Sequence, residues 1–275
     1  MVKVSVLVPV YNSQDFLEDT INSVLGQTFK DFELILLNDA STDDSEKVIQ
    51  KFSDSRIKYY KNEHNLGISG TRNRLVELAE GEYLAVMDND DISLPQRFEK
   101  QVAFLDSHPD VAIVGTWLEL FNKRPVKGVM ANIKKFITNL GLVWCQPSEV
   151  TLKETLRGNS CMHPTMMIRA AVIKENNIKY NQALTPSEDY DLVRQVLMAG
   201  YRICNIQEVL FKYNLHGNNF SVKKKKLMKE ADKIIKSNIE DALGYHPRFR
   251  YPYIFIIIRK LRYKPLLKWF KPWVN

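Results

Sequence analysis

Residues 3–12 read KVSVLVPVYN and residues 83–91 read YLAVMDNDD. Each is a short β-branched or apolar run that stops at a polar cluster, the pattern of a strand buried on both faces. Between them the period changes. From Gln14 onward, Phe16, Leu17, Thr20, Ile21, Val24 and Leu25 fall at helical spacing, and Gly26 stops the run. Phe32–Leu37 predicts a second strand, and Asn38–Asp43 is a polar turn that also supplies helix caps. Val48, Ile49 and Phe52 mark a second helix, Ile57–Tyr60 a short third strand, and Asn62–Gly67 a loop. Leu75, Leu78 and Ala79 lie on a third helix, closed by Gly81. Such alternation predicts βαβ units and a parallel sheet.

Open parallel sheets bind ligands beyond the carboxyl ends of their strands. Here those ends carry Tyr11-Asn12, Asn38-Asp39 and Asp88–Asp91, so three polar clusters converge on one sheet edge. Further along, Pro95–His108 predicts a helix, Val111–Thr116 and Met166–Ile168 strands, Tyr190–Ala199 a helix and Val209–Tyr213 a last strand. Residues 118–152 carry no clear period, and no internal repeat is visible.

Composition narrows the classes. The 275 residues include 11 Gly and 11 Pro, which excludes collagenous and low-complexity chains. Cys145, Cys161 and Cys204 form an odd, widely spaced set without a CxxC pair, which argues against a zinc ribbon and for a reducing compartment. The N-terminus reads as a strand and not a signal peptide. No apolar run approaches the roughly 20 residues of a membrane-spanning helix. The net charge of +7 is unevenly spread. Residues 223–275 hold 15 Lys and Arg against 4 Asp and Glu, a net of +11, which leaves residues 1–222 at −4. That asymmetry predicts a partner for the tail that the body does not share.

Three carboxylates within Asp88–Asp91 repel one another unless a cation or solvent screens them. They suit a hard divalent cation shared with substrate phosphates, or a solvated acidic turn that caps the next helix. The first strand–helix turn, Pro9–Ser13, holds no glycine, which argues against an NAD or FAD enzyme of the GxGxxG type, and a Walker A motif is also missing. Any bound nucleotide must have its phosphates held by metal and side chains.

The segments VSVLVPVYN (4–12), LNDASTDDS (37–45), NLGISGTRN (65–73), MDNDDIS (87–93), HPTMM (163–167), SEDYDL (187–192) and YNLHGNNFS (213–221) together resemble, in order, the motifs of inverting family 2 glycosyltransferases. The resemblance covers about residues 2–222. It implies an α/β fold of GT-A type, a Rossmann-like sandwich with a mostly parallel central sheet. The catalytic domain would span 1–222, with a donor-binding half over about 1–116 and an acceptor half over about 117–222. A helical, basic extension would follow over 223–275.

The resemblance also implies roles. Pro9, Val10 and Tyr11 would line the pocket of the nucleotide base. Asp39 would accept from a uracil-type ring N–H, as suits an acceptor-only side chain, although it also suits a helix cap. Arg72 would reach the base or diphosphate. Asp88-Asn89-Asp90 corresponds to the DxD motif, with Asp88 facing ribose and sugar and Asp90 the metal and diphosphate. Asp91 and His216 join Asp90 as candidate ligands of Mn²⁺ or Mg²⁺, the implied cofactor, and Asn218, Asn219 and Ser221 continue a loop that would close over the donor. Asp189, with Glu188 as the runner-up, would be the general base that deprotonates the acceptor hydroxyl. The same pair also suits the dipole of a helix N-terminus. His163 would lie on the acceptor side.

In the tail, Leu227, Ala231, Ile234, Ile235, Ile239 and Ala242 share roughly one helix face, which would pack on a core or a membrane surface. Trp269, Phe270 and Trp273, interleaved with Lys264, Lys268 and Lys271, suit a headgroup interface, whereas no nucleic-acid module accompanies them. The expectation is a metal-dependent enzyme that moves a sugar, with inversion, from a nucleotide-sugar, UDP-linked by resemblance. The acceptor would be a glycan or a polyprenyl-linked glycan in polysaccharide biosynthesis, with the protein cytoplasmic and peripheral on the inner face of the cell membrane. The alternatives are a non-catalytic sugar-nucleotide-binding scaffold and a nucleotidyltransferase, which would want a glycine-rich, basic loop at Pro9–Ser13.

Overall fold

The computed structural model describes residues 2–123, 141–216, 224–244 and 261–263. Strand β1 (Val4–Val10) pairs in parallel with β2 (Phe32–Asn38) on one side and β4 (Tyr83–Val86) on the other, and β2 pairs with β3 (Ile57–Lys61). Every residue of β1 and β2 is buried, which is why both read as unbroken apolar runs. Their side chains still alternate between layers. Val4, Val6 and Val8 pack with Leu17, Ile21 and Val24 of α1 (Leu17–Leu25). Leu7, Ile35 and Leu37 pack with Leu75 of α3 (Gly67–Leu78) on the opposite face. Helix α2 (Ser45–Ile49) lies beside α1 in the first layer.

Gly81 ends the α3 unit because the sheet leaves no room for a side chain. A Cβ there would lie 2.5 Å from the Ser5 amide nitrogen. The same spot is sealed by the Ser5 hydroxyl, which accepts from the Gly81 amide at 2.8 Å and donates to Glu33.

Beyond β4 the pairing changes sense. Strand β9 (Met167–Arg169) inserts antiparallel between β4 and β6 (Val111–Phe121). Strand β10 (Arg202–Asn214) runs parallel to β6, and β5 (Ile92–Ser93) and β8 (Glu149–Val150) pair antiparallel to it. The longest ladders are parallel, and the antiparallel strands finish the sheet beyond β4. Strand β10 begins seven residues before the predicted Val209. The polar Gln207-Glu208 pair sits at a register shift against β6, and this breaks the alternation that marks a strand.

Helix α4 (Arg97–Ser107) carries a fully buried arginine. Arg97 donates to the carbonyls of Val86 and Met166 and to Gln101 Oε1, and its guanidinium lies over Phe211 at 5.0 Å. It therefore ties the end of β4 to the β9 segment just below the acidic cluster. Helices α5 (Leu152–Thr155), α6 (Ala170–Glu175) and α7 (Glu188–Met198) complete the second half of the body.

The described parts of the basic extension are built onto this body. Helix α8 (Lys225–Leu243) buries Ala231, Ile235 and Ile239 against Leu184 and Tyr190, with Leu152 and Leu156 at the margin. Half of the predicted face thus meets the core, whereas Leu227 and Ile234 are 48% and 53% exposed and Ala242 is exposed as well. Strand β11 (Leu261–Tyr263) pairs antiparallel with β7 (Leu142–Trp144) at the sheet margin. No helix among the described residues is long and apolar enough to cross a membrane. Tyr251–Ile258, the aromatic–lysine segment at 264–273, and Asn218, Asn219 and Ser221 lie outside the described residues.

Candidate active site

The parallel register brings the three polar clusters together. Val10 stands beside Asn38, Leu7 beside Val86, and the Met87 amide donates to the Leu7 carbonyl. The first two loops are stitched to each other. Asn12 Oδ1 accepts from the Thr42 amide at 2.8 Å, Ser41 Oγ accepts from the Asn12 amide at 3.1 Å, and Ser45 Oγ accepts from the Ser13 amide at 2.9 Å. Asn12 and Ala40 take left-handed backbone angles, φ 48° and 56°. Such a conformation costs a non-glycine residue about 1–2 kcal/mol, and the loop bonds sustain it. Tyr11 projects from this edge, 49% exposed, while Val10 is fully buried and the Pro9 carbonyl accepts from Asn89 Nδ2 at 2.9 Å.

Asp39 is buried and already engaged. Its carboxylate accepts from Asn62 Nδ2 at 2.6 Å and from the amides of Leu66 and Gly67 at 2.8 and 3.1 Å, so it caps the start of α3. That cap fixes the helix that presents Arg72.

The carboxylates after β4 diverge. Asp90 Oδ2 lies 2.6 Å from His216 Nε2, and the imidazole stacks on Phe16 with centroids 5.0 Å apart. Asp88 turns instead to Arg72. Burial and the Asp90 charge push the Asp88 carboxyl upward, and Arg72 works against this. Asp91 is set apart from both. It is completely buried, its Oδ1 accepts from the Asn214 amide at 2.8 Å, and Arg97 is its nearby counter-charge. Burial first, then the Asp90 and Asp88 charges, hold the Asp91 carboxyl well above the usual range.

Arg72 joins the end of β4 to the start of α7. Its Nη2 donates to Asp88 Oδ1 at 3.1 Å and its Nη1 to Glu188 Oε1 at 2.6 Å. Burial disfavours the guanidinium charge, but Asp88 and Glu188 more than offset this and hold it above its ordinary value. Two neighbouring contacts on the same face of α3 strengthen the seam. Ser69 Oγ meets Thr185 Oγ1, and Asn73 exchanges paired amide bonds of 2.9 Å with the Tyr180 backbone.

Glu188 and Asp189 open α7. Glu188 is buried, and its Oε2 lacks a hydrogen-bond partner. Asp189 Oδ2 accepts from Asn159 Nδ2 at 3.1 Å. Its carboxyl is pushed up to about 7, by burial first and then by the Glu188 charge, while Arg72 pulls it down. A carboxyl so placed is half ionised near neutrality, the range in which a general base is effective.

His163 is brought near this cluster but into the interior. Its Nε2 lies 2.9 Å from the Tyr180 hydroxyl, the ring meets Tyr180 edge-on, and its Nδ1 is buried without a partner. Burial and the Arg72 charge keep the imidazole neutral. The Tyr180 ring in turn faces the Arg72 guanidinium at 5.7 Å. Tyr180, Asn159 and Arg97 were not singled out from sequence. Each acts across a long chain separation from an irregular segment or an ordinary helix, where no local pattern marks it.

A metal fits the donor edge in one specific sense. Among the described residues no three His, Cys, Asp or Glu side chains converge as a ready cage. A small hard cation of the Mg²⁺ type needs only one or two protein carboxylates when substrate phosphates supply further ligands. Asp90 and His216, already in contact, offer that partial set, and Asp88 adds adjacent negative charge.

The family model "Glycosyl transferase family 2" matches residues 5–173. An uncharacterised glycosyltransferase of Methanocaldococcus jannaschii is 32% identical over 239 residues, 82% of this chain and 76% of that protein. The Escherichia coli UDP-Glc:α-D-GlcNAc-diphosphoundecaprenol β-1,3-glucosyltransferase WfaP is 27% identical over 234 residues, 85% of this chain and 86% of that one. Among solved structures, S. aureus TarS 1–349 in complex with UDP-GlcNAc superposes with a TM-score of 0.69 at 23% identity, over 92% of this chain and 69% of that one. The Pyrobaculum calidifontis mannosyltransferase PcManGT with GDP-Man and Mn²⁺ gives 0.60 at 14% identity, over 98% and 81%. These two likenesses carry the fold, a GT-A type α/β sandwich, as the sheet topology also does. With more than half its length matched by the family model, the chain belongs to glycosyl transferase family 2.

Proposed function

We propose that this chain transfers a sugar, with inversion, from a UDP-sugar to a lipid-linked glycan during polysaccharide synthesis, with Asp189 as the base. The observation that carries this reading is the Arg72 bridge. It links Asp88 of the acidic strand end, at 3.1 Å, to Glu188, at 2.6 Å and next in sequence to Asp189, through one guanidinium. The UDP-sugar assignment follows WfaP, whose name specifies UDP-glucose and a diphosphoundecaprenol acceptor, and TarS, whose complex holds UDP-GlcNAc.

In this reading Tyr11 and the loops around Asn12 and Ala40 receive the nucleoside, while Arg72 neutralises charge between the two halves. The acceptor hydroxyl gives its proton to Asp189 as its oxygen attacks the anomeric carbon from the face opposite the diphosphate. The new carbon–oxygen bond forms while the bond to the β-phosphate oxygen breaks, and the electron pair leaves with UDP. Asp90 and His216 would hold a divalent cation with the diphosphate, where it supplies Lewis-acid neutralisation of the departing charge. The aromatic and basic residues of 245–275 would make peripheral contact with an anionic membrane surface that displays the acceptor.

The test is a panel of UDP- and GDP-sugars assayed for nucleoside diphosphate release and thermal shift, with Mn²⁺ or with EDTA. Release from a UDP-sugar in Mn²⁺, lost in EDTA, is expected. Release from GDP-sugars alone would overturn the donor assignment, and binding without turnover, including with a diphosphoundecaprenol-linked acceptor, would favour a non-catalytic scaffold.

A further inference from the structure

The residue before the Glu188-Asp189 pair behaves unusually. Ser187 occupies the N-cap position of α7, where a serine hydroxyl ordinarily accepts from an amide of its own first turn. Here it makes no such bond. Its Oγ instead donates to Asp232 Oδ1 at 2.7 Å, with the Met228 carbonyl at 3.4 Å, and both partners lie on α8. The Ser187 side chain is thus committed to a helix of the basic extension.

That commitment has consequences on both sides. Without a serine cap, the first turn of α7 draws on its own acidic side chains, and Asp189 accepts from the Tyr190 amide. On the other side, Asp232 stands at the edge of the apolar contact formed by Ala231, Ile235, Ile239, Leu184 and Tyr190. Its carboxyl is raised by burial, against the pull of the Ser187 hydrogen bond and of Lys236. The groups facing Asp189 are therefore Glu188 from α7, Arg72 from α3, Tyr180 and Asn159 from the acceptor-side loops, and Asp232 from α8.

We propose that Asp232 is a positioning residue for the Glu188-Asp189 pair, so that α8 of the basic extension is a working part of the acceptor site. It acts through Ser187, which it holds one residue before Glu188, and through its own charge beside Asp189. The proposal rests on the assignment of Asp189 as base. It adds that the extension does more than attach the enzyme to a surface.

Two substitutions in the full-length chain separate the two routes. Asp232→Asn keeps an oxygen acceptor for Ser187 and removes the charge. Ser187→Ala keeps the charge and removes the bond. With the UDP-sugar that turns over in the panel above, and water or a diphosphoundecaprenol-linked glycan as acceptor, Asp232→Asn should move the acid limb of kcat/KM to lower pH. Ser187→Ala should lower kcat about tenfold, by the sensitivity of rate to placement of the base, with KM for the donor unchanged. Binding of UDP with Mn²⁺ should match the unsubstituted protein in both. Amide hydrogen exchange over residues 188–191 adds a readout independent of turnover, and it should quicken in Ser187→Ala. Unchanged kcat, limb and exchange in both variants would overturn the proposal while leaving Asp189 as base. An active Asp189→Asn would instead remove the base assignment on which it rests.

Discussion

The two acidic pairs of the site are built from the same side chains for opposite tasks. Asp88 and Asp90 follow a strand, keep some exposure, and divide their partners between Arg72 and His216. Glu188 and Asp189 open a helix, Glu188 is buried, and the pair shares its surroundings with Asn159, Tyr180 and Asp232. In the first pair burial and the Asp90 charge raise the Asp88 carboxyl while Arg72 works against this, and an incoming cation would favour its charged form further. In the second pair burial and the Glu188 charge push the Asp189 carboxyl up to about 7. Arg72 touches one member of each. The environment, and not the residue type, separates a pair suited to binding a cation from a pair suited to moving a proton.

The sharpest break between the pairs comes from removing one carboxylate in each. Asp189→Asn should lower turnover by about 10³-fold, within the range for loss of a general base, and leave UDP-sugar affinity intact in calorimetry. Turnover within a few-fold of normal would abolish the distinction. Arg72→Ala should damage both pairs at once. It removes the shared cation, which should lower the melting temperature, weaken donor binding and shift the acid limb upward, because Arg72 now pulls the Asp189 carboxyl down. The loss of stability should be about 3–5 kcal/mol, the usual cost of breaking a buried ion pair. An effect confined to donor binding would mean that the pairs act separately.

Asp90→Ala should have the reverse signature of Asp189→Asn. Donor affinity in Mn²⁺ should fall about tenfold or more, a loss of roughly 1.4 kcal/mol, while the position of the acid limb stays fixed. A Mn²⁺ titration identical to that of the unsubstituted protein would detach Asp90 from the metal. The smallest effect belongs to pH itself. The base works only when ionised, so kcat/KM should rise with pH and level off above about 7, the value to which the Asp189 carboxyl is pushed. A limb near pH 4 would place the working carboxylate in an ordinary solvated setting.

The donor pair was far more legible in sequence than the acceptor pair. Strands β1 to β4 are successive βαβ units, so each strand and its terminal cluster sit side by side in the chain, and the polar ends of Tyr11-Asn12, Asn38-Asp39 and Asp88–Asp91 could be placed on one edge. Periodicity cannot show how a carboxylate is occupied. Asp39 bonded to the start of α3, and Asp91 turned inward beside Arg97, look like their neighbours in the sequence. The acceptor pair depends on contacts that join distant segments. Arg72 and Glu188 lie 116 positions apart, and Ser187 and Asp232 lie 45 apart. The Ser-Glu-Asp order resembles an ordinary capped helix start, and only the fold shows the serine hydroxyl given to another helix. The break at Lys223 marks a real change of charge, yet α8 beyond it buries Ala231, Ile235 and Ile239 on the body and leaves Leu227 and Ile234 exposed.

The place of α8 in the chain also bears on the order in which the enzyme is made. Leu184 and Tyr190, which line the back of the α7 start, find their cover in Ala231, Ile235 and Ile239. Synthesis runs from the N-terminus, and domains fold as their parts emerge. The strands that carry Tyr11, Asp39 and Asp88 can therefore pair early, while the start of α7 finds its cover only once α8, roughly 40 residues further on, has emerged. In a nascent chain the parallel strand edge is thus laid down before the surroundings of Glu188 and Asp189 are closed.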